Sequence, residues 1–284
     1  MSRTIVAALA DIHCGHKLGL LSPETELWQE DEFGNDELYK PEMTAVQNWL
    51  WRNYEKDRTE LLEWAAGDRV ILLFVGDATW GKKYQKGIIT TRTADQIVMA
   101  IDIFEPWMDH ISILRLAKGT PSHEFDEGTV PIVMANQLRA EYPKVDISVL
   151  SHGLATVDGV LIDYAHHGPS TGIRQWTKGN QLRYYLKSLM NQEIDMGNTP
   201  PRIVLRAHYH EAGWETDRIF GKRFWQSDIL IIPAYCGITE FAKQVTKSTY
   251  MLACGIWGIE IIDGHVKEIR PFWRQIDTRR KEEL

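Results

Sequence analysis

Six of the ten histidines in this 284-residue chain stand just past the ends of short apolar runs: His13, His123, His166, His167, His208 and His210. Those runs are Thr4 to Ala10, Ser112 to Ala117, Val160 to Ala165 and Arg202 to Arg206; a fifth, Arg69 to Val75, ends at Gly76-Asp77. Apolar runs this short and continuous read as strands buried on both faces, the kind found in parallel sheets. In such sheets the loops beyond the carboxyl ends of different strands meet in one crevice. The pattern that constrains the fold therefore constrains the chemistry, because polar groups distant in sequence are delivered to one place.

The segments between the runs are consistent with this. Pro41 to Ala66 carries Val46, Trp49, Leu50, Tyr54, Leu61, Leu62 and Trp64 at helical spacing, with Pro41 suited to a first turn, so the chain opens β-α-β. Ile97, Ile101, Phe104 and Trp107 predict a second helix over Thr93 to about His110. Further helices are expected over about Val130 to Tyr142 and Lys178 to Ile194, with two or three short strands between Val145 and Ala165. The last third is strand-rich: Trp214 to Thr216, Arg223 to Gln226, Ile229 to Pro233, Met251 to Ile262 and His265 to Pro271. A β-α-β half followed by a more antiparallel half, with no break in composition, predicts two packed sheets flanked by helices in one α/β domain over residues 1–271, and a polar tail over 272–284. Residues 17–40 read as an acidic loop insertion, either a solvated excursion or a lid beside the site.

Composition narrows the function classes. A net charge of −7, from 39 acidic and 32 basic residues, argues against a surface built for broad capture of nucleic acid. A nuclease stays open, since bound cations would make its site locally positive. Cys14, Cys236 and Cys254 are odd in number and include no C-x-x-C pair, which suggests neither a disulfide framework nor a cysteine zinc site and fits a reducing cytoplasm. No run approaches the roughly 20 apolar residues that span a bilayer, and the N-terminus does not read as a signal peptide, so no membrane association is expected.

Asp11 and His13 alternate at a strand end and so face the same way, able to reach one cation together. Gly76 lets the backbone turn so that Asp77, a carboxylate able to bridge two cations, emerges from the next strand. With the strand-end imidazoles these acids form an N/O donor set suited to Mn, Fe, Zn, Co or Ni better than to Mg or Ca. Two ions about 3.5–4 Å apart are the usual use for such a set.

The order Asp11-x-His13, Gly76-Asp77, Gly119 to His123-Glu124, His166-His167-Gly168 and His208-x-His210 resembles the calcineurin-like metallophosphoesterase superfamily, over residues 4 to about 270. The string Asp11-Ile12-His13-Cys14-Gly15-His16 is similar to phage-encoded members. The resemblance implies a four-layer α/β/β/α sandwich of two mixed sheets flanked by helices, and a cytoplasmic enzyme of a bacterial or phage-infected cell. It implies two divalent transition-metal ions, manganese first among them, with Asp11, His13 and His210 on one, Asp77 bridging, and His166 and His208 on the other. His167 competes with its neighbour for that last role. His123 would protonate or stabilise the leaving oxygen, and Glu124 would either orient that imidazole or face solvent. Where the family has Asn before the His, this chain has Ser122; Thr120 or Ser122 could offer the missing oxygen. Ala207 replaces the family's Gly before His208.

The expected reaction is phosphoester hydrolysis, phosphodiesters before monoesters, by in-line attack of a metal-bridging hydroxide. A nuclease and a catalytically weakened metal-binding scaffold are the alternatives. Ser122, His167 and Arg174 are candidate substrate contacts. The acidic stretch from Glu24 to Glu37 would repel a long polyanion, which favours small phosphodiesters or nucleotides.

Overall fold

A computed structural model describes residues 2–126, 128–172, 177–221, 223–239 and 250–282. Two large sheets form its centre. The first has six strands in the order β13 (His265–Asp277), β12 (Met251–Ile262), β1 (Arg3–Leu9), β4 (Arg69–Val75), β5 (Ile113–Ala117) and β6 (Asp146–Leu150). β1, β4, β5 and β6 run parallel, whereas β12 and β13 are antiparallel to their neighbours. The second has five strands in the order β10 (Gly213–Phe220), β11 (Phe224–Ile231), β9 (Ile203–Arg206), β8 (Val160–Ala165) and β7 (His152–Val157).

Strand periodicity explains the layering. Along β1, Ile5, Ala7 and Leu9 face one way and pack with Leu50, Tyr54 and Leu61 of α1 (Ala45–Ala65), Met99 and Phe104 of α2 (Thr93–Met108) and Met134 of α3 (Thr129–Glu141). Val6 and Ala8 face the other way and pack with Ile162, Ile203 and Leu205 of the second sheet. That sheet's far face buries Val204, Ile229 and Ile231 against Leu182, Leu186 and Met190 of α4 (Asn180–Asp195). Three apolar interfaces separate four layers, so the fold is the α/β/β/α sandwich of two mixed sheets.

Local chemistry moved several boundaries. α1 begins after Thr44, whose hydroxyl accepts from the Gln47 N–H while the Gln47 side chain accepts from the Thr44 N–H. This reciprocal cap outweighs Pro41 as a start signal. The segments expected as three strands between Trp214 and Pro233 form one hairpin, β10 with β11. The polar tail expected from residue 272 is corrected: β13 continues to Asp277, paired with β12 as far as Met251, because Phe272 and Ile276 extend the alternation past Pro271. Within 17–40, Leu27–Glu30 (β2) pairs with Asp36–Tyr39 (β3). Thr25 donates to Asp102 of α2 and Arg92 to the Trp28 carbonyl, which ties this hairpin to α2. Among the described residues no helix is long and apolar enough to cross a membrane.

Candidate metal centre

The residues past the strand ends converge, and the backbone is bent to make them do so. Asp11, His13, Asp77, His208 and His210 all take left-handed φ values, between 46° and 75°. Each costs about 1–2 kcal/mol for a residue with a Cβ, and such residues concentrate where side chains are aimed at a shared target. The loop ends are stitched together as well. Asp11 N–H donates to the Gly76 carbonyl at 3.0 Å and His13 N–H to the Asp77 carbonyl at 3.2 Å. His208 N–H donates to Asp11 Oδ2 at 3.1 Å, which leaves Asp11 Oδ1 pointing into the cluster, fully buried and without a hydrogen-bond partner among the described residues.

Two groups of donors share Asp77. On one side His13 Nε2 and His210 Nε2 lie 3.0 Å apart, with Asp11 Oδ1 3.4 Å from His210 Nε2 and 3.7 Å from His13 Nε2. Asp77 Oδ2 is 4.0 Å from His13 Nε2. On the other side the same oxygen is 3.1 Å from His166 Nε2, and Thr120 Oγ1 lies 3.2 Å from that nitrogen, 3.2 Å from Asp77 Oδ2 and 3.3 Å from His208 Nδ1. Two nitrogens bound at about 2.1 Å to one ion stand about 3.0–3.4 Å apart, the spacing seen here. The orphaned Asp11 oxygen and the close imidazole pair fit a divalent cation on the first side, and the N/O donor chemistry fits one on the second.

Electrostatics and hydrogen bonding fix protonation. Burial drives His13 down to about 4, so its ring is neutral. Burial also opposes charge on His166, but Asp77 beside it outweighs burial and holds it near 9; in return His166 keeps the Asp77 carboxyl at about 2 despite desolvation. A cation would take over the role that this proton plays. His166 Nδ1–H donates to the Val75 carbonyl at 2.7 Å, which turns Nε2 toward Asp77. His166 is buried and His167 exposed, though His167 also lies within reach of the His166 and His208 nitrogens.

His123 joins the first side: a ligand atom from each of His13, Asp77 and His123 lies within 4.8 Å of the others. Its Nδ1–H donates to the Trp80 carbonyl at 2.7 Å, which leaves Nε2 without a hydrogen bond among the described residues. The expectation that Glu124 orients this imidazole, or faces solvent, is corrected. Glu124 is buried behind Asp77, with Oε1 accepting from the Asp77 N–H at 3.3 Å, and burial followed by the charge of Asp77 pushes its carboxyl up to about 8. Thr120 supplies the oxygen beside His166 and His208, while Ser122 instead lines a groove of about 730 Å³ with Lys82, Lys83 and Phe125. Ala207 is fully buried between the sheets. Arg174 lies outside the described residues.

Two contributions to the site are not expected from the sequence in the roles the structure gives them. The Trp80 carbonyl carries no sequence signature. Cys236 places Sγ in a group with the His13 and His210 nitrogens, all within 4.8 Å of one another. It follows the apolar run Ile229 to Pro233, the signal that located the histidines.

No family model and no curated protein matches this chain. Among solved structures it is similar to the Thermus thermophilus sulfate thiohydrolase SoxB in complex with glycerol, at TM-score 0.41 and 9% identity over 98% of this chain. This chain spans 57% of that chain's length. A Thermotoga maritima protein solved by NMR in solution is similar at TM-score 0.28 and 13% identity, over 59% of this chain and 87% of that one.

Proposed function

We propose that the chain is a dinuclear metal-dependent phosphodiesterase of the calcineurin-like metallophosphoesterase type. The observation that carries the reading is the position of Asp77, one carboxylate shared by two separate donor groups. Asp11, His13 and His210 would hold one cation, and His166, His208 and Thr120 the other. Such a pair supplies Lewis-acid charge at the phosphoryl oxygens and lowers the pKa of bound water toward neutrality.

The chain's own groups then position and transfer protons. His123, anchored through Nδ1 by Trp80, can hold a proton on Nε2 for the departing alkoxide. Trp80 stacks on His16 at 4.1 Å between ring centroids and meets His123 at 5.1 Å, forming an aromatic wall that steadies the imidazole. The groove that starts at Ser122 presents Lys82 and Lys83 as cations and Phe125 as an apolar face, a combination suited to an anionic organic leaving group such as a nucleotide. The acidic tip at Glu30, Asp31 and Glu32 disfavours a long polyanion over this small one.

The test compares bis(p-nitrophenyl) phosphate with p-nitrophenyl phosphate after loading with Mn²⁺, Zn²⁺ or Co²⁺. Metal-dependent turnover, faster on the diester and lost in Asp77→Asn, is expected. Metal binding without turnover on either ester would make the chain a metal-binding scaffold instead.

A further inference from the structure

We propose that Cys236 is a ligand of the first cation, adding a sulfur donor to Asp11, His13 and His210. The inference rests on the two-cation reading and goes beyond it, since a thiolate changes which metal that side selects.

Geometry places the thiol there and holds it. Cys236 is fully buried, and its Sγ shares the 4.8 Å group with the His13 and His210 nitrogens. A sulfur at about 2.3 Å and a nitrogen at about 2.1 Å from one ion stand about 3.1–3.6 Å apart, so closing on a cation takes a shift of no more than about 1–2 Å. The flanking backbone is pinned to the loop that carries Asp11 and His13. Ala234 makes a parallel bridge with Ala10, and Gly237 N–H donates to the Leu18 carbonyl at 2.7 Å. The Tyr235 hydroxyl donates to Asp57 of α1 at 2.6 Å. Among the described residues the thiol itself makes one long hydrogen bond, 3.5 Å, to the Gly237 carbonyl. The other two cysteines pack differently, Cys14 and Cys254 both lying within the core between the first sheet and its helices.

On binding, the sulfur–metal bond forms and the thiol proton passes to buffer. A soft thiolate favours Zn²⁺, Co²⁺ or Fe²⁺ over Mn²⁺. The second side, built from Asp77, His166, His208 and Thr120, has only nitrogen and oxygen donors, so its preference for these ions over Mn²⁺ is weaker. The centre is then unequal, with a thiophilic ion on the Cys236 side and a more permissive position on the other.

Cobalt loading of the full chain reads this directly. The Co²⁺ protein is expected to show a near-ultraviolet sulfur-to-cobalt charge-transfer band, kept in Cys14→Ser and Cys254→Ser and lost in Cys236→Ser and Cys236→Ala. Competition dialysis should show the preference for Zn²⁺ over Mn²⁺ at the tighter position falling at least about tenfold in Cys236→Ser. Two bound cobalt ions in the wild-type chain without the charge-transfer band would overturn the assignment while leaving the two-cation reading intact, and this needs no variant to fold. A band that survives in Cys236→Ser would overturn it equally. Failure of the wild-type chain to bind cobalt at all would overturn both.

Discussion

Replacing Gly76 with alanine separates backbone strain from damage to the metal centre, because the chain contains a matched control. Gly76 has φ +89° and Gly67 has φ +85°, so an alanine at either meets the same left-handed penalty, about 1–2 kcal/mol. At Gly67 an added Cβ meets nothing within 4 Å. At Gly76 it would stand 2.6 Å from His166 Nδ1 and 2.7 Å from Gly119 Cα, where ordinary contact begins at 3.4 Å. The imidazole must withdraw by about 0.8 Å, at an overpacking cost of about 1–3 kcal/mol. The same push strains the His166 bond to the Val75 carbonyl and carries Nε2 away from Asp77. Gly67→Ala should therefore lose about 1–2 kcal/mol in urea unfolding and keep full activity. Gly76→Ala should lose about 2–5 kcal/mol, bind one cation tightly in place of two, and fall about 100-fold in turnover, the loss expected of a displacement near 1 Å beside reacting groups. Equal destabilisation of the two variants, with metal content and activity unchanged in both, would refute the argument that Gly76 exists to admit His166.

Three further variants test individual roles. His123→Ala should lower turnover about 10²–10⁴-fold and more severely for alkyl than for nitrophenyl leaving groups, with metal content unchanged; loss of metal would show that His123 is a ligand and not a proton donor. Thr120→Val should weaken binding of the second cation about 10–100-fold while Thr120→Ser preserves it, and equal affinities by titration calorimetry would remove the hydroxyl from the site. In metal-stripped protein the folded chain keeps the Glu124 proton between pH 4.5 and about 8 whereas the unfolded chain has released it, so stability falls as pH rises through that window. Glu124→Gln should flatten that slope in urea melts, and an unaltered slope would contradict the placement of Glu124 behind Asp77.

The strand-end histidines and acids were legible in the sequence because two simple regularities coincide: strand alternation sets the direction of a side chain, and parallel strands open their carboxyl ends on one side. Loop interiors were less legible. In the segment after β5, His123 N–H and Glu124 N–H both turn back to the Thr120 carbonyl, so the chain forms a helical turn there. Residues three and four apart then share a face, and Thr120 reaches the second donor group while Ser122 faces the groove. Neither that turn nor the burial of Glu124 follows from a string of polar residues. Cys236 was set aside because it lacked a nearby cysteine partner, a criterion suited to zinc motifs formed within one loop. Here the partners arrive from β1 and β9, far away in sequence. The strand end is set too early at Pro271 because Arg274, Gln275 and Asp277 look like tail composition, although Arg274 shares a strand face with Phe272 and Ile276 and pairs with Asp57 of α1.

Metal stoichiometry tests the central claim most directly. Equilibrium dialysis followed by elemental analysis should find two divalent ions per wild-type chain, and Asp77→Asn should lose tight binding of both, since its carboxylate is shared by the two groups. A wild-type chain that binds no ion, or an Asp77→Asn variant that still holds two with undiminished affinity, would contradict the account.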